Sequence, residues 1–313
     1  MKAPILKKER KDVVAELRAE LRRPGIVMVP GVYDVISALL VQSMGFKAGY
    51  VSGAAVTASL GLPDLGLITL DEMVRVVRYI ASSVDIPLIV DIDTGYGEAL
   101  NVVRAVVEFE RAGAAGVQIE DQVLPKKCGH LSGKQVISAD EMAKKIKAAV
   151  EARRNPDFVI VARTDARGVT GFDDAVERAK LYLEVGADVI FPEALESEQE
   201  FAEFARRVKA PLLANMTEFG KSPLIPAKRL EEYGYKFVIY PVTLLRIALG
   251  AMREALRTIA ELGTQEPLLQ RMLTRKELYE LIGYYEYEEF DRKVSEEVDK
   301  KIAVKLRPEK THG

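Results

Sequence analysis

The stretch VQIEDQVLPKKCGH, residues 117–130, decides the predicted fold class and carries a candidate active site. A short apolar run ends abruptly in the acids Glu120 and Asp121. The loop that follows ends in two lysines, the only cysteine of the chain and one of its two histidines. In parallel α/β folds, the loops after the carboxyl ends of strands carry the chemistry. We therefore interpret this stretch as a buried strand followed by an active-site loop.

On both sides of this stretch, a short β-branched run, a polar loop and a helical pattern repeat in turn. Strands are predicted at residues 26–29, 48–51, 87–91, 116–119, 158–162, 188–191, 211–214 and 237–240. Eight β–α units of about 30 residues match a (β/α)8 TIM barrel, which typically has ~250 residues. A doubly wound open sheet is the alternative, and the lack of a Gly-x-Gly-x-x-Gly motif after the first strand disfavours it.

The two ends of the chain extend beyond this repeat. An extra amphipathic helix is predicted over residues 8–23, and a helical extension over residues 264–313, which contains the aromatic run YYEYEEF. These aromatic side chains need a surface to cover them, either the helices of the barrel or a second subunit. Because no Pro-, Gly- or Ser-rich linker divides the chain, residues 1–313 are predicted as one barrel domain with this extension.

Composition excludes several classes of protein. The 313 residues are 48% hydrophobic, and 45 Lys and Arg against 47 Asp and Glu give a net charge of −2. This balance disfavours binding to nucleic acid or to an anionic membrane. One cysteine excludes an intrachain disulfide, and neither a signal-peptide core nor a membrane-spanning run is present in the sequence. A cytoplasmic location is predicted on these grounds.

Two acids end the third predicted strand. Asp91 and Asp93 are two residues apart, which places both carboxylates on one face of a strand. Carboxylates on one face repel each other unless a cation lies between them, and Mg²⁺ is typically bound by one or two carboxylates. A solvated strand end or a helix cap is the alternative. The acids at the neighbouring strand end, Glu120 and Asp121, favour a metal site.

Cys128 lies between Lys127 and the pair Gly129-His130. Nearby cations lower the pKa of a thiol, which predicts a nucleophile or a proton donor at Cys128. An inert buried cysteine is the alternative. For His130, a contact with substrate and a satisfied loop histidine both remain open.

Other predicted strands also end in polar residues. Arg163, after the fifth strand, is a candidate receptor for a carboxylate unless it pairs with Asp165. The stretch Ser52-Gly53-Ala54 predicts backbone contacts to an anion, with a tight packing turn as the alternative. The later strands contribute Glu193, Asn215, Thr217 and Arg246. The set predicts a small, multiply anionic substrate held on a metal.

At these residues the chain resembles the isocitrate lyase/phosphoenolpyruvate mutase superfamily, and most closely the bacterial-type 2-methylisocitrate lyases. The resemblance runs from PGVYD (30–34) to TRKELYE (274–280), and KKCGH is the lyase signature. The other matching motifs are SGA, LGLPDLG, DIDTGYG, IEDQ, ARTDA, FPEA and NMTE. The chain departs from the family at Ser52-Gly53-Ala54-Ala55, where SGGG is frequent, and the extra methyl groups alter the fit of this turn.

The resemblance implies a magnesium-dependent carbon–carbon lyase that cleaves 2-methylisocitrate to pyruvate and succinate, with Mn²⁺ as an alternative metal. It implies a small tricarboxylate as the partner molecule, and a homotetramer, built as a dimer of dimers, that exchanges its C-terminal helices. Cys128 would donate a proton to the succinate carbanion, and Tyr50 is a candidate base. The metal site would comprise Asp64, Asp91, Asp93 and Glu120. Substrate contacts would come from Ser52, Gly53, Ala54, Gly129, His130, Arg163, Glu193, Asn215, Thr217, Arg246 and Arg275.

Three alternatives remain at this stage. The first is an isocitrate lyase or an enzyme that accepts both substrates, because one methyl group in an apolar pocket is worth only ~1–3 kcal/mol. Phe191 and Ile239 resemble the smaller-walled pocket of the methyl-accepting enzymes. The second is oxaloacetate decarboxylation or phosphonopyruvate chemistry, against which the cysteine argues. The third is a catalytically silent binding module, against which the intact acids, thiol and arginines argue.

Overall fold

The computed structural model describes residues 12–131 and 133–305. Over these residues the strands are β1 (Val27–Val32), β2 (Gly49–Val51), β3 (Leu88–Asp91), β4 (Gly116–Glu120), β5 (Val159–Thr164), β6 (Val189–Pro192), β7 (Leu213–Asn215) and β8 (Phe237–Tyr240). All neighbouring strands pair in parallel, in the order β6-β5-β4-β3-β2-β1-β8-β7. A parallel bridge between Ile190 and Leu212 brings the two ends of this order together. The predicted (β/α)8 barrel is confirmed.

Helices follow the strands, and several begin at a residue whose side chain caps the first turn. The helices are α1 (Val13–Arg22), α2 (Val35–Ser43), α3 (Gly53–Ser59), α4 (Leu70–Ser83), α5 (Ala99–Ala112), α6 (Ala139–Ala152), α7 (Phe172–Glu184), α8 (Glu198–Arg207), α9 (Ala227–Tyr233), α10 (Thr243–Leu262), α11 (Arg275–Leu281) and α12 (Tyr284–Lys305). The spacing of Thr69 with Glu72 and of Ser138 with Glu141 predicts capping boxes, and both are present. The extra N-terminal helix is confirmed as α1, and residues 8–11 of its predicted range lie outside the described residues.

One helix was not expected from the sequence. The Gly/Ala/Ser-rich stretch after β2 is predicted as a loop, but it forms α3. The cause is Ser52, whose hydroxyl oxygen accepts the backbone N–H of Ala55 at 3.2 Å and caps the first turn. The candidate anion-binding turn therefore lies at the start of a short helix.

The strands separate two apolar layers. The larger layer fills the space between strands and helices, and the smaller fills the barrel interior. Leu17 of α1 belongs to the interior layer and is 0% exposed. Arg18, beside it, donates to Asp188 at 2.6 Å and to the carbonyl of Phe158 at 3.2 Å, and both partners precede their strands. Helix α1 therefore covers the amino-terminal end of the barrel, and the opposite end holds the polar residues.

Residues 12–257 form one compact unit, and residues 258–305 belong to a second unit within the described chain. In the second unit, Thr274 caps α11 and accepts the N–H of Glu277. The rings of Tyr279 and Tyr284 stack with centroids 4.4 Å apart, so the C-terminal tyrosines pack on one another. Exchange of this segment between subunits stays a prediction. No helix in the described part of the chain has the length and apolarity to cross a bilayer.

We expect Leu17→Ala to lower the free energy of unfolding by about 2–5 kcal/mol, because it leaves a cavity at the covered end of the barrel. Urea unfolding followed by circular dichroism measures the change. The control is Arg22→Ala on the same helix, an exposed position expected to stay within about 0.5 kcal/mol. An equally small loss for Leu17→Ala would contradict the role assigned to α1.

Candidate active site

A cavity of about 340 Å³ opens at the carboxyl ends of the strands. It brings together residues that lie far apart in the sequence, because parallel strands end at one rim. The predicted site residues that line it are Tyr50, Ser52, Ala54, Asp64, Asp91, Cys128, Gly129, His130, Arg163, Glu193, Asn215, Thr217 and Arg246.

Three more predicted residues contact this lining directly. The N–H of Gly53 donates to Asp91 Oδ2 at 3.2 Å, and the N–H of Asp93 donates to Asp91 Oδ1 at 3.2 Å. Glu120 Oε2 lies 3.3 Å from Arg163 Nη1. Arg275 begins α11 in the C-terminal unit, and its assignment to the site stays a prediction.

The carboxylates of Asp91 and Asp93 converge, although not by the predicted strand alternation. Strand β3 ends at Asp91, and Asp93 has left-handed backbone with φ 48°. A Cβ atom on Gly53 would lie 3.0 Å from Asp91 Oδ2 and 3.4 Å from Asp93 Oδ1. Glycine at position 53 therefore leaves open a small cradle that carboxylate oxygens of both residues face.

Burial makes Asp91 and Glu120 costly to ionise. Burial, with Asp93 adding to it, raises the pKa of Asp91 to about 6. Burial also raises the pKa of Glu120 well above its usual value, and Glu120 Oε1 has no hydrogen-bond partner within the described residues. Buried carboxylate oxygens whose charge is only partly compensated by Lys126 and Arg163 suit a hard divalent cation.

The acids alone do not provide a complete coordination shell for a metal ion. Among residues 12–131 and 133–305, no group of three or more His, Cys, Asp or Glu residues is arranged to hold one metal ion. A bound ion would therefore take one or two carboxylates directly and complete its shell with water and substrate oxygens, as Mg²⁺ commonly does.

Lys126 is the residue that sequence reasoning missed at this site. Its ammonium lies 2.5 Å from Asp64 Oδ1 and 2.7 Å from Asp93 Oδ1, and the residue is 3% exposed. The neighbouring Lys127 turns away and donates to the carbonyl of Gly133 at 3.1 Å. The only signal in the sequence was the pair of lysines before Cys128, which we interpreted as cations acting on the thiol.

The prediction that nearby cations lower the pKa of the Cys128 thiol was wrong. Burial raises the pKa of the Cys128 thiol above its usual value, and Glu193 adds to the effect while Arg163 opposes it. The nearest lysines do not compensate, because their ammonium groups are bound to Asp64, Asp93 and the carbonyl of Gly133. Cys128 is therefore a protonated thiol at neutral pH, which suits a proton donor better than a nucleophile.

Glu193 anchors one wall of the cavity. Its carboxylate lies 2.9 Å from His130 Nε2 and 3.3 Å from Arg163 Nη1, and it accepts from Asn215 Nδ2 at 3.1 Å. Burial alone would raise the pKa of Glu193, but Arg163 and His130 outweigh it and hold the pKa well below its usual value. An ionised Glu193 therefore orients three of the predicted substrate-binding side chains.

Both ring nitrogens of His130 lie close to protein groups. Nδ1 accepts the backbone N–H of Lys221 at 2.9 Å, and Nε2 lies 2.9 Å from Glu193 Oε1. His130 thereby ties the Cys128 loop to the loop after β7, and its contact with substrate stays a prediction.

The two arginines are held in place by carboxylates. Arg163 pairs with Asp165 at 2.9 Å, as the alternative proposed, and still lines the cavity with 8% of its surface exposed. Arg246 donates to the carboxylate of Glu218 at 2.7 Å and to its carbonyl at 2.8 Å.

A protein-family profile described as phosphoenolpyruvate phosphomutase matches residues 17–260. The chain belongs to this family. A 2-methylisocitrate lyase of Aeropyrum pernix is 60% identical over 287 residues, 92% of each chain, and one of Bacillus subtilis is 49% identical, covering 92% and 95%. The predicted superfamily and its lyase branch are confirmed.

Solved structures of the phosphoenolpyruvate phosphomutase family share the fold. A 2,3-dimethylmalate lyase has TM-score 0.84 and 37% identity, covering 90% of this chain and 95% of its own. A phosphonopyruvate hydrolase in complex with oxalate and Mg²⁺ has TM-score 0.81 and 31% identity, covering 91% and 98%. Divalent metal binding is therefore found among the structural relatives of this family member.

The geometry in this family member argues against Tyr50 as the base. Its hydroxyl donates to Gln118 Oε1 at 2.6 Å. Burial, with Asp91 adding to it, raises the pKa of Tyr50 well above its usual value. The phenol therefore holds its proton, and Tyr50 with Gln118 forms a buried polar pair in the barrel floor.

Because Cys128 is the only cysteine, alkylation by iodoacetamide reports one thiol. A raised pKa keeps the thiol protonated to higher pH, so the rate should rise with a midpoint above ~8.5, the value for a free cysteine. The urea-unfolded chain serves as control, with a midpoint near ~8.5. A lower midpoint in the folded protein than in the unfolded chain would overturn this view of Cys128.

Proposed function

We propose that this protein is a magnesium-dependent carbon–carbon lyase that cleaves 2-methylisocitrate to pyruvate and succinate. One observation carries the proposal: the protonated thiol of Cys128, the guanidinium of Arg163 and the acids Asp64 and Asp91 line one cavity. Relatives that are 60% and 49% identical are 2-methylisocitrate lyases, which supports the same substrate for this chain.

The reaction breaks one carbon–carbon bond. The hydroxyl of the substrate loses its proton, and the carbon that carries it becomes the keto carbon of pyruvate. The electron pair of the broken bond passes to the carbon beside a carboxylate in the succinate half. That carbon then takes up a proton, so one proton leaves and one enters in each turnover.

The metal site is proposed at Asp91, with Asp93, Asp64 and Glu120 around it. The Gly53 cradle and the unpaired Glu120 oxygen support this placement. Bound Mg²⁺, or Mn²⁺ in its place, would polarise the α-keto acid oxygens as a Lewis acid. The Mg²⁺ in the phosphonopyruvate hydrolase structure supports the choice of metal.

The other side chains bind and orient the two product halves. Arg163 and the turn Ser52-Gly53-Ala54 face the proposed metal and would hold the pyruvate carboxylate. Asn215, Thr217 and Arg246 also line the cavity and would hold the succinate end. Because Arg163 is buried and fixed by carboxylates, it needs little rearrangement as charge develops on the substrate.

Cys128 is the proposed proton donor to the succinate carbanion. Its raised pKa keeps the proton on sulfur until the carbanion, a far stronger base, forms. The next residue, Gly129, allows the loop to approach closely, since a Cβ there would lie 2.3 Å from Glu193 Cγ and 2.5 Å from Arg163 Nη2.

The apolar part of the cavity is suited to the methyl group. Phe191, Ile239 and Leu245 line it, and Phe191 also lies under Arg163, with 5.2 Å between guanidinium and ring centroid. Contact with an apolar wall stabilises the bound methyl group. Isocitrate lacks this methyl group and therefore loses a modest amount of binding free energy.

We also propose a cytoplasmic homotetramer, a dimer of dimers, in which the C-terminal helices are exchanged and bring Arg275 to a neighbouring site. Exposed apolar side chains in the C-terminal unit support an interface there, with Leu269 57% and Val298 47% exposed. Size-exclusion chromatography with light scattering tests the mass, and a monomer would overturn the assembly without affecting the proposed chemistry.

We expect Cys128→Ala to lower kcat for 2-methylisocitrate cleavage by about 10²–10⁴-fold with little change in KM, since the variant lacks the proton donor. Steady-state assay of pyruvate formation measures both constants. Leu131→Ala is the matched control, because it lies on the same loop, is 56% exposed and should retain activity. Comparable turnover by Cys128→Ala would remove Cys128 from the proton transfer.

Removal of divalent metal should abolish cleavage. After treatment with EDTA and gel filtration we expect kcat/KM to fall at least ~100-fold, and Mg²⁺ or Mn²⁺ to restore it. Potassium chloride of equal ionic strength is the control. Full activity in protein shown to be free of metal by elemental analysis would contradict the metal site.

The methyl group should give 2-methylisocitrate a limited preference over isocitrate as substrate. We expect kcat/KM for 2-methylisocitrate to exceed that for isocitrate by about 10–200-fold. Oxaloacetate and 2,3-dimethylmalate, assayed alongside, cover the chemistries of the related structures. A preference for isocitrate would favour the isocitrate lyase alternative, and no cleavage of either tricarboxylate by folded protein would refute the proposed lyase.

A further inference from the structure

We propose that Lys126 is a tethered cation that competes with the divalent ion for Asp93 and Asp64, and that it thereby couples metal binding to the Cys128 loop. This inference rests on the proposed function, in which these acids surround a metal. Its basis is the position of the Lys126 ammonium, 2.5 Å from Asp64 Oδ1 and 2.7 Å from Asp93 Oδ1.

The same oxygen serves both cations. Asp93 Oδ1 faces the Gly53 cradle, where a Cβ would lie 3.4 Å from it, and it also binds Lys126. A divalent ion held at this oxygen, directly or through water, would have an ammonium within a few ångströms, and like charges at that distance in a buried site repel strongly. Metal binding therefore either displaces Lys126 or is weakened by it.

Arg163, another cation of the cavity wall, has different partners. It is bound to Asp165, Glu120 and Glu193, and within the described residues no ion pair joins it to Asp64 or Asp93. Lys126 is thus the cation of this wall that is ion-paired with Asp64 and Asp93.

Lys126 also belongs to the loop that carries the proposed acid. It lies two residues before Cys128, and Gln122 holds the intervening Lys127 backbone through two hydrogen bonds of 2.8 and 2.9 Å. Because only Lys127 separates Lys126 from Cys128, we expect release of Lys126 from Asp93 to loosen this short segment against the hold of Gln122. Lys127 provides a matched control, because its ammonium binds the carbonyl of Gly133 and not an acid of the cluster.

The test is calorimetric titration of Mg²⁺ into the metal-free full-length protein without substrate. Because Lys126→Met removes the competing charge, we expect it to bind Mg²⁺ about tenfold more tightly, or better, than wild type. Lys127→Met should stay within about twofold of wild type, and Lys126→Arg, which keeps the charge, should resemble wild type. Equal or weaker binding by Lys126→Met would overturn the competition.

A second measurement tests the coupling to the loop. Mg²⁺ should speed hydrogen exchange of wild-type peptides that cover residues 122–131, because the ion releases Lys126. In Lys126→Met, exchange of the same peptides should be fast without Mg²⁺ and unchanged by it. Lys126→Gln, which keeps a polar head without charge, replaces Lys126→Met in both measurements if circular dichroism shows that the latter is unfolded.

The outcomes separate this inference from the function on which it rests. If wild type and all variants release no heat with Mg²⁺, the proposed metal site fails and this inference fails with it. If wild type binds Mg²⁺ and requires it for cleavage, but Lys126→Met binds it no more tightly, only the inference about Lys126 is overturned.

Discussion

The balance of buried charge at the carboxyl end of the barrel is the constraint on which the rest of the structure depends. Six carboxylates that are at most 6% exposed lie at this end of the described barrel: Asp91, Asp93, Glu120, Asp121, Asp165 and Glu193. The buried cations facing them are Lys126, Lys134, Arg163 and Arg178. Ions removed from water are costly unless they are paired, so buried cations must lie within reach of these acids. These cations come from the loop after β4, from strand β5 and from helix α7. The remaining excess of negative charge suits a divalent ion.

This constraint explains how the Cys128 loop is held. At its base, Gln122 pairs with Val136 in an antiparallel bridge. At its end, the Lys134 ammonium binds both Asp165 at 2.6 Å and the carbonyl of Gly129 at 2.5 Å. Charge pairing between the loop after β4 and the residue after β5 thereby holds the backbone beside the thiol. The proton donor of the proposed reaction is placed by ion pairs rather than by apolar packing.

The state of the thiol follows from the same arrangement. Each cation near Cys128 is already bound to a carboxylate or a carbonyl, so none lowers the pKa of the thiol enough to offset burial. A site that binds a multiply anionic substrate would be expected to favour anions in general. Here the positive charges are committed to fixed acids, which allows a neutral thiol and bound carboxylates to share one cavity of about 340 Å³.

The sequence alone determined the barrel and pointed to most of the side chains that line the cavity. Doubly buried parallel strands appear as continuous apolar runs, and caps such as Thr69 and Ser138 act within four residues. Both features can therefore be predicted from a short stretch of sequence. Polar residues at strand ends converge on one rim in any parallel barrel, which is why residues as distant as Asp91 and Asn215 could be assigned together. Asp64 was assigned from the family resemblance instead. Only the tertiary structure decided that Lys126 binds Asp64 and Asp93, that the pKa of Cys128 rises, and that Tyr50 donates to Gln118. These depend on distances and desolvation among residues far apart in the chain, and spacing along the sequence does not contain them.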